Sequence, residues 1–157
     1  MKSLSSPEPR ERKQAISFVF IVLPELDARR LVNTLSQSDP DTAVRSSATN
    51  ALSARLTELT AEAVGSDPEQ SERAVGHLSN VWKDDPQFTK SLLDAAGQQK
   101  ANPRAQANTV NLLNTLDSQK LKQHSNEVSQ LIRRAPADNA LFQHNARMLN
   151  QKLHARE

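Results

Sequence analysis

Histidine is the side chain best suited to moving protons or holding a metal near neutral pH, and this chain of 157 residues has four, His77, His124, His144 and His154. They are scattered, and no second histidine stands one helical turn from any of them, so packing or surface roles are expected and no metal site. Cysteine is absent, which removes thiolate nucleophiles, disulfides and Cys-based zinc sites. The three glycines, at 65, 76 and 97, stand too far apart for a phosphate-cradling loop or a nucleophile elbow. Asp84 and Asp85 are adjacent, so their carboxylates diverge, which suits capping a helix start rather than paired acid–base work. Trp82 is the one indole and is expected in the core. No enzymatic activity, cofactor, metal or small-molecule substrate is expected from these residues.

Binding chemistry is better represented. Net charge is only +2, yet residues 1–94 hold eleven Lys/Arg against fourteen Asp/Glu (−3) and residues 95–157 hold nine against four (+5). Such asymmetry suits an acidic partner or a phosphate backbone. Lys100, Arg104, Lys120, Lys122, Arg133, Arg134, Arg147 and Lys152 are the candidate basic track, and Arg29 and Arg30 form a second basic pair near the other end. Aromatic residues make up only 3% of the chain, which disfavours readers that stack single-stranded bases. Another protein is therefore the preferred partner, with nucleic-acid backbone binding through the basic C-terminal half as the alternative.

The elements that must carry these residues are legible from proline. Pro7, Pro40, Pro68, Pro103 and Pro136 recur at steps of 33, 28, 35 and 33. Asp39-Pro40-Asp41 shows the pattern best. Asp39 is a natural N-cap, Pro40 suits the first helical position, and Val44, Ala48, Ala51, Leu52 and Leu56 then follow at three- and four-residue steps on one stripe. Sliding the chain by 33 sets Pro7, Glu8, Arg12 and Ala15 over Pro40, Asp41, Arg45 and Ala48. The stretch opened by Asn102-Pro103-Arg104 and continued to Leu116 is similar: at an offset of 61, Thr109, Leu112 and Leu113 fall over Ala48, Ala51 and Leu52, while Ala105 and Gln106 replace Val44 and Arg45.

An acidic-Pro turn feeding such a helix resembles the intra-repeat turn and second helix of a HEAT repeat, the helical hairpin of α-solenoids. The resemblance implies a bond from Arg45 to an acidic residue of an adjacent repeat, and a face that grips a protein. HEAT-like DNA glycosylases and phycobilin lyases are enzymatic cousins, but the several aromatics and nearby carboxylate of the former are absent, as is any nameable pigment site.

The expected architecture is an all-α, right-handed α-solenoid in a single domain spanning 1–157. Four hairpins are expected at about 7–37, 40–65, 67–98 and 102–134, with a capping helix at 137–154. The scarcity of Tyr and Gly favours helices packed through Leu, Ala and Val over a sandwich.

In the first hairpin Ile16, Val19, Phe20 and Leu23 make a stripe that Phe18 and Val22 widen, so the run 15–23 is expected as a buried helix. It is too short to span a bilayer. As a signal peptide it is disfavoured by Glu8 and Glu11 ahead of it and Pro24 after it. Leu26, Leu31, Val32 and Leu35 are the expected inner side of the next helix, and Leu141, Phe142, Met148, Leu149 and Leu153 that of the last. Function follows as a non-enzymatic protein-interaction module, a scaffold or adaptor in the cytoplasm, with a HEAT-like enzyme disfavoured.

Overall fold

The computed structural model describes residues 2–99, 102–134 and 138–155, with backbone only at positions 2 and 141. All regular secondary structure among the described residues is helical. A 3₁₀ turn at Lys2–Ser5 precedes α1 (Pro9–Ile16), α2 (Val19–Val22), α3 (Glu25–Ser38) and α4 (Thr42–Ala63). Then come α5 (Pro68–His77), which runs on as a π-turn at Leu78–Trp82, and α6 (Phe88–Gln98), α7 (Pro103–Leu113), α8 (Ser118–Lys122), α9 (Ser125–Arg133) and α10 (Ala140–His154). The chain divides into two compact units, residues 1–56 and 57–157.

The prolines mark turns of one construction. In four of them the side-chain oxygen before the proline accepts the amide of the residue after it. Glu8 N–H donates to Ser6 Oγ (3.1 Å), Asp41 to Asp39 Oδ1 (2.9 Å), Gln87 to Asp85 Oδ1 (2.8 Å) and Arg104 to Asn102 Oδ1 (3.0 Å). These are short Asx- and Ser-type turns, and they leave the chain poised to enter a helix. Asp67 instead caps α5 directly by accepting from Gln70 N–H at 2.9 Å. The expected turn at Pro136 lies outside the described residues.

Asp39 is not the cap of α4. Its carboxylate is engaged by the fork of Arg12, Nε to Oδ2 at 2.8 Å and Nη2 to Oδ1 at 2.9 Å. The cap is Asp41, which accepts from Val44 N–H at 3.0 Å, so α4 starts two residues after Pro40. The guanidinium and carboxylate are both nearly excluded from solvent. Arg12 also donates to the carbonyls of Ser6 and Pro7. Arg45 repeats that last contact 33 residues on, donating to the carbonyls of Asp39 and Pro40 and to Thr42 Oγ1. The bond to an acidic side chain that the resemblance assigned to Arg45 is thus made by Arg12.

In residues 1–56 the core gathers Leu4, Ala15, Ile16, Val19, Ala28, Val32, Val44 and Ala48, with Phe20, Leu23, Leu35, Ala51 and Leu52 packed around it. The expected buried helix over 15–23 is broken at Ser17-Phe18 into α1 and α2, and only Ala15, Ile16 and Val19 of it are buried. On α3 the inner side is Glu25, Ala28 and Val32 rather than Leu26 and Leu31. Glu25 enters the interior because Arg55 matches it, Nη2 to Oε2 at 2.8 Å, while the same guanidinium lies over the ring of Phe20 at 5.7 Å from its centroid. Within 40–65, where the sequence leaves open whether 57–64 is a separate short helix or an extension, Thr42–Ala63 is one continuous helix, α4.

In residues 57–157 the interior holds Leu59, Val64, Ala74, Leu78, Trp82, Phe88, Leu92, Val110, Leu112, Leu113, Leu121, Val128 and Leu149. Ala74, Leu78 and Trp82, four apart, stay on one side through the π-turn. Two amides of the α7 segment finish the C-terminal end of α4: Asn108 Nδ2 donates to the Ala63 carbonyl and to Ser71 Oγ (2.8 Å), and Asn102 Nδ2 reaches the Val64 carbonyl at 3.4 Å. Carbonyls that a helix end would leave orphaned are thereby satisfied. The second helix of the hairpin expected at 102–134 is divided at Gln123-His124 into α8 and α9. α10 packs against α7, α8 and α9. On α10 Met148 is exposed rather than inward, and the side chain of Leu141 lies outside the described residues.

Candidate interaction surfaces

No cluster of three or more metal-ligating side chains occurs among the described residues. His144 and His154 are exposed, and the His154 ring nitrogen sits 2.9 Å from the Asn150 carbonyl. Asp85 serves its turn as expected, whereas Asp84 faces Lys120 at 3.5 Å. Trp82 is wholly buried. No helix among the described residues is long and apolar enough to cross a membrane.

A groove of about 430 Å³ runs between α6, α7 and α9, with Leu93, Ala96, Gly97 and Leu131 as its apolar lining. Lys90, Asp94, His124, Glu127 and Arg134 contribute polar groups to it. Lys90 is committed to Asp94 at 2.6 Å, a pair that raises the ammonium pKa through that hydrogen bond and the adjoining negative charge. The volume is within the range of small-ligand pockets. Gly97 is not demanded by the backbone, since its φ is not positive and a Cβ there would meet nothing within 4 Å. Gly97→Ala is accordingly expected to raise unfolding free energy by about 0.4–1 kcal/mol, read by urea denaturation, by reducing the freedom of the unfolded chain.

The ten basic residues singled out in the sequence fall on several elements. Arg29 and Arg30 lie on α3 in residues 1–56. In residues 57–157, Arg104 opens α7, Lys120 and Lys122 lie on α8, Arg133 ends α9 with Arg134 just past it, and Arg147 is on α10. Lys100 lies outside the described residues. Arg30, Arg104, Lys122, Arg133, Arg134 and Arg147 are exposed, Arg29 is half-buried, and Lys120 is engaged by Asp84. Lys152, the further member of the expected track, is spent internally, its ammonium donating to the carbonyls of Asn114 and Leu116 beyond the end of α7. Positive charge in this half is therefore partly structural.

The surface that sequence reasoning missed is apolar. Phe18 (57% exposed), Ile21 (79%), Val22 (61%), Leu26 (41%) and Leu31 (37%) all project from α2, its N-terminal flank and α3, two elements in contact. Met148 is the other large apolar side chain this exposed among the described residues. Beside them Leu23, Asp27, Arg30, Leu31 and Thr34 line one shallow groove. Periodicity identified these as apolar positions on helices. It could not show that the interior of this unit is filled from the other side, by Ala15, Ile16, Ala28 and Val32.

The chain matches no protein-family model, no curated protein and no solved structure in the comparisons made with each.

Proposed function

We propose that this protein is a non-enzymatic interaction module of HEAT-like helical repeats, stacked as a right-handed solenoid, that docks another protein in the cytoplasm through α2 and α3. The observation carrying the docking role is the concentration of Phe18, Ile21, Val22, Leu26 and Leu31 on those two elements, because clustered exposed apolar side chains mark partner surfaces. Support for the repeat reading is the recurrence, 33 residues apart, of an arginine bonded to both carbonyls of a Pro-led turn, Arg12 and then Arg45. Nucleic-acid binding is the weaker alternative, since Lys120 and Lys152 are already engaged.

The test is affinity capture with mass spectrometry at 50 and 200 mM salt and after nuclease. A protein ligand retained throughout, and lost with Ile21→Glu while circular dichroism is unchanged, is the expected result. A loss of 10³-fold or more between those salts, about what six or more phosphate contacts produce, would instead establish phosphate binding. Capture indifferent to Ile21→Glu would remove α2 from the site.

A further inference from the structure

Resting on the docking role of α2 and α3, we infer that the partner held there is a second copy of this chain, paired antiparallel along α3 about a two-fold axis between Ala28 and Arg29. The reason is a palindrome of chemistry centred on that point. At successive levels of an antiparallel pair, Asp27 of one copy stands at the height of Arg30 of the other, Leu26 at that of Leu31, and Leu23 at that of Thr34. Of these six positions, the five on α3 fall in one stripe roughly 140° wide at 3.6 residues per turn, and Leu23 stands in extended backbone two residues ahead of the helix. Five of them line the same shallow groove, and the sixth, Leu26, is exposed beside it.

A two-fold interface uses the same patch twice, so the patch must complement itself. A surface bearing charge of one sign would repel its own copy across the axis. Here one anion and one cation exchange partners, and neither makes a salt bridge among the described residues. Ile21, Val22 and Phe18 extend the apolar area on the adjoining α2. The interface is thus a pair of exchanged Asp27–Arg30 contacts flanked by aliphatic side chains.

Sedimentation equilibrium on the full chain, from low to high micromolar concentration, tests the pairing. A reversible dimer is expected. Leu31→Glu should give a monomer with unchanged circular dichroism. Asp27→Arg should raise the dimer dissociation constant at least about tenfold by facing like charges across the axis. The double variant Asp27→Arg with Arg30→Asp should return it to near the starting value, because the two charges have only traded places. A monomer at every concentration overturns the inference, as does a dimer indifferent to Asp27→Arg or a double variant no better than the single. A monomer that still captures a different protein through Ile21 overturns self-pairing and leaves the docking role intact. A monomer that captures nothing overturns both.

Discussion

Leu113→Ala is expected to lower the unfolding free energy by about 2–5 kcal/mol, the span seen when a buried leucine is truncated and its surroundings close only in part. Leu113 is wholly buried on α7, beside Val110 and Leu112 in the chain, which are buried as well. The check is urea denaturation followed by far-ultraviolet circular dichroism, with a lowered midpoint at unchanged slope. Leu52→Ala makes the comparison. It sits at the equivalent place in the other unit, at the offset of 61, but is only half-buried at the edge of its cluster, so a smaller loss is expected. A loss under about 0.5 kcal/mol at Leu113, the level of an ordinary surface substitution, would show that α7 presents a different face inward.

Arg12→Met is the second substitution with a large expected effect, and the effect depends on pH. Removing the guanidinium leaves the Asp39 carboxylate buried with only the Asp41 amide to bond it. Breaking one side of a buried pair is far more damaging than never having had the pair. In the intact protein the hydrogen bond from Arg12 is the main influence holding the Asp39 pKa below its ordinary 3.8; burial opposes it, while the Asp41 amide and the charges of Arg12 and Arg45 assist.

A carboxylate whose folded pKa is depressed contributes stability above its unfolded pKa, and that contribution is lost as pH falls through the folded value. The gap in melting temperature between Arg12→Met and the parent should therefore be full at pH 7 and narrow on the acid side of pH 3.8. Asp39→Asn keeps the shape without the titration and should flatten that acid limb. Parallel melting curves for parent and Arg12→Met down to the acid limb would mean the pair is not linked to folding.

Much of the turn architecture was legible because its causes are local. Proline fixes one torsion, and a Ser, Asp or Asn ahead of it needs only the next amide to close the turn, so four residues of sequence suffice. The inward face of α7 was legible too, since Ala105, Thr109, Leu112 and Leu113, with Leu116 just beyond its end, are buried as their spacing implies. What escaped depends on distant partners. Asp39 reads as a helix cap until Arg12, 27 residues earlier, claims both of its oxygens.

Glu25 is buried where Arg55 arrives from α4 to pair with it. Spacing along 15–35 was correctly apolar, but period alone does not say which of two apolar sides a neighbour covers. Leu26 and Leu31 were therefore assigned inward when Ala28 and Val32 fill that place. The candidate docking face was hidden for the same reason, whereas the basic residues were visible as charges without any sign of which carbonyls or carboxylates would take them up.

The position of Trp82 bears on every optical experiment with this protein. The sole indole, with no tyrosine in the chain, lies in the interior of residues 57–157. Intrinsic emission will therefore follow the melting of that portion and stay silent about the first 56 residues, where Arg12, Asp39 and the apolar face reside. A fluorophore attached on α3 would supply the missing channel, and discordance between the two colours would reveal whether the portions come apart together.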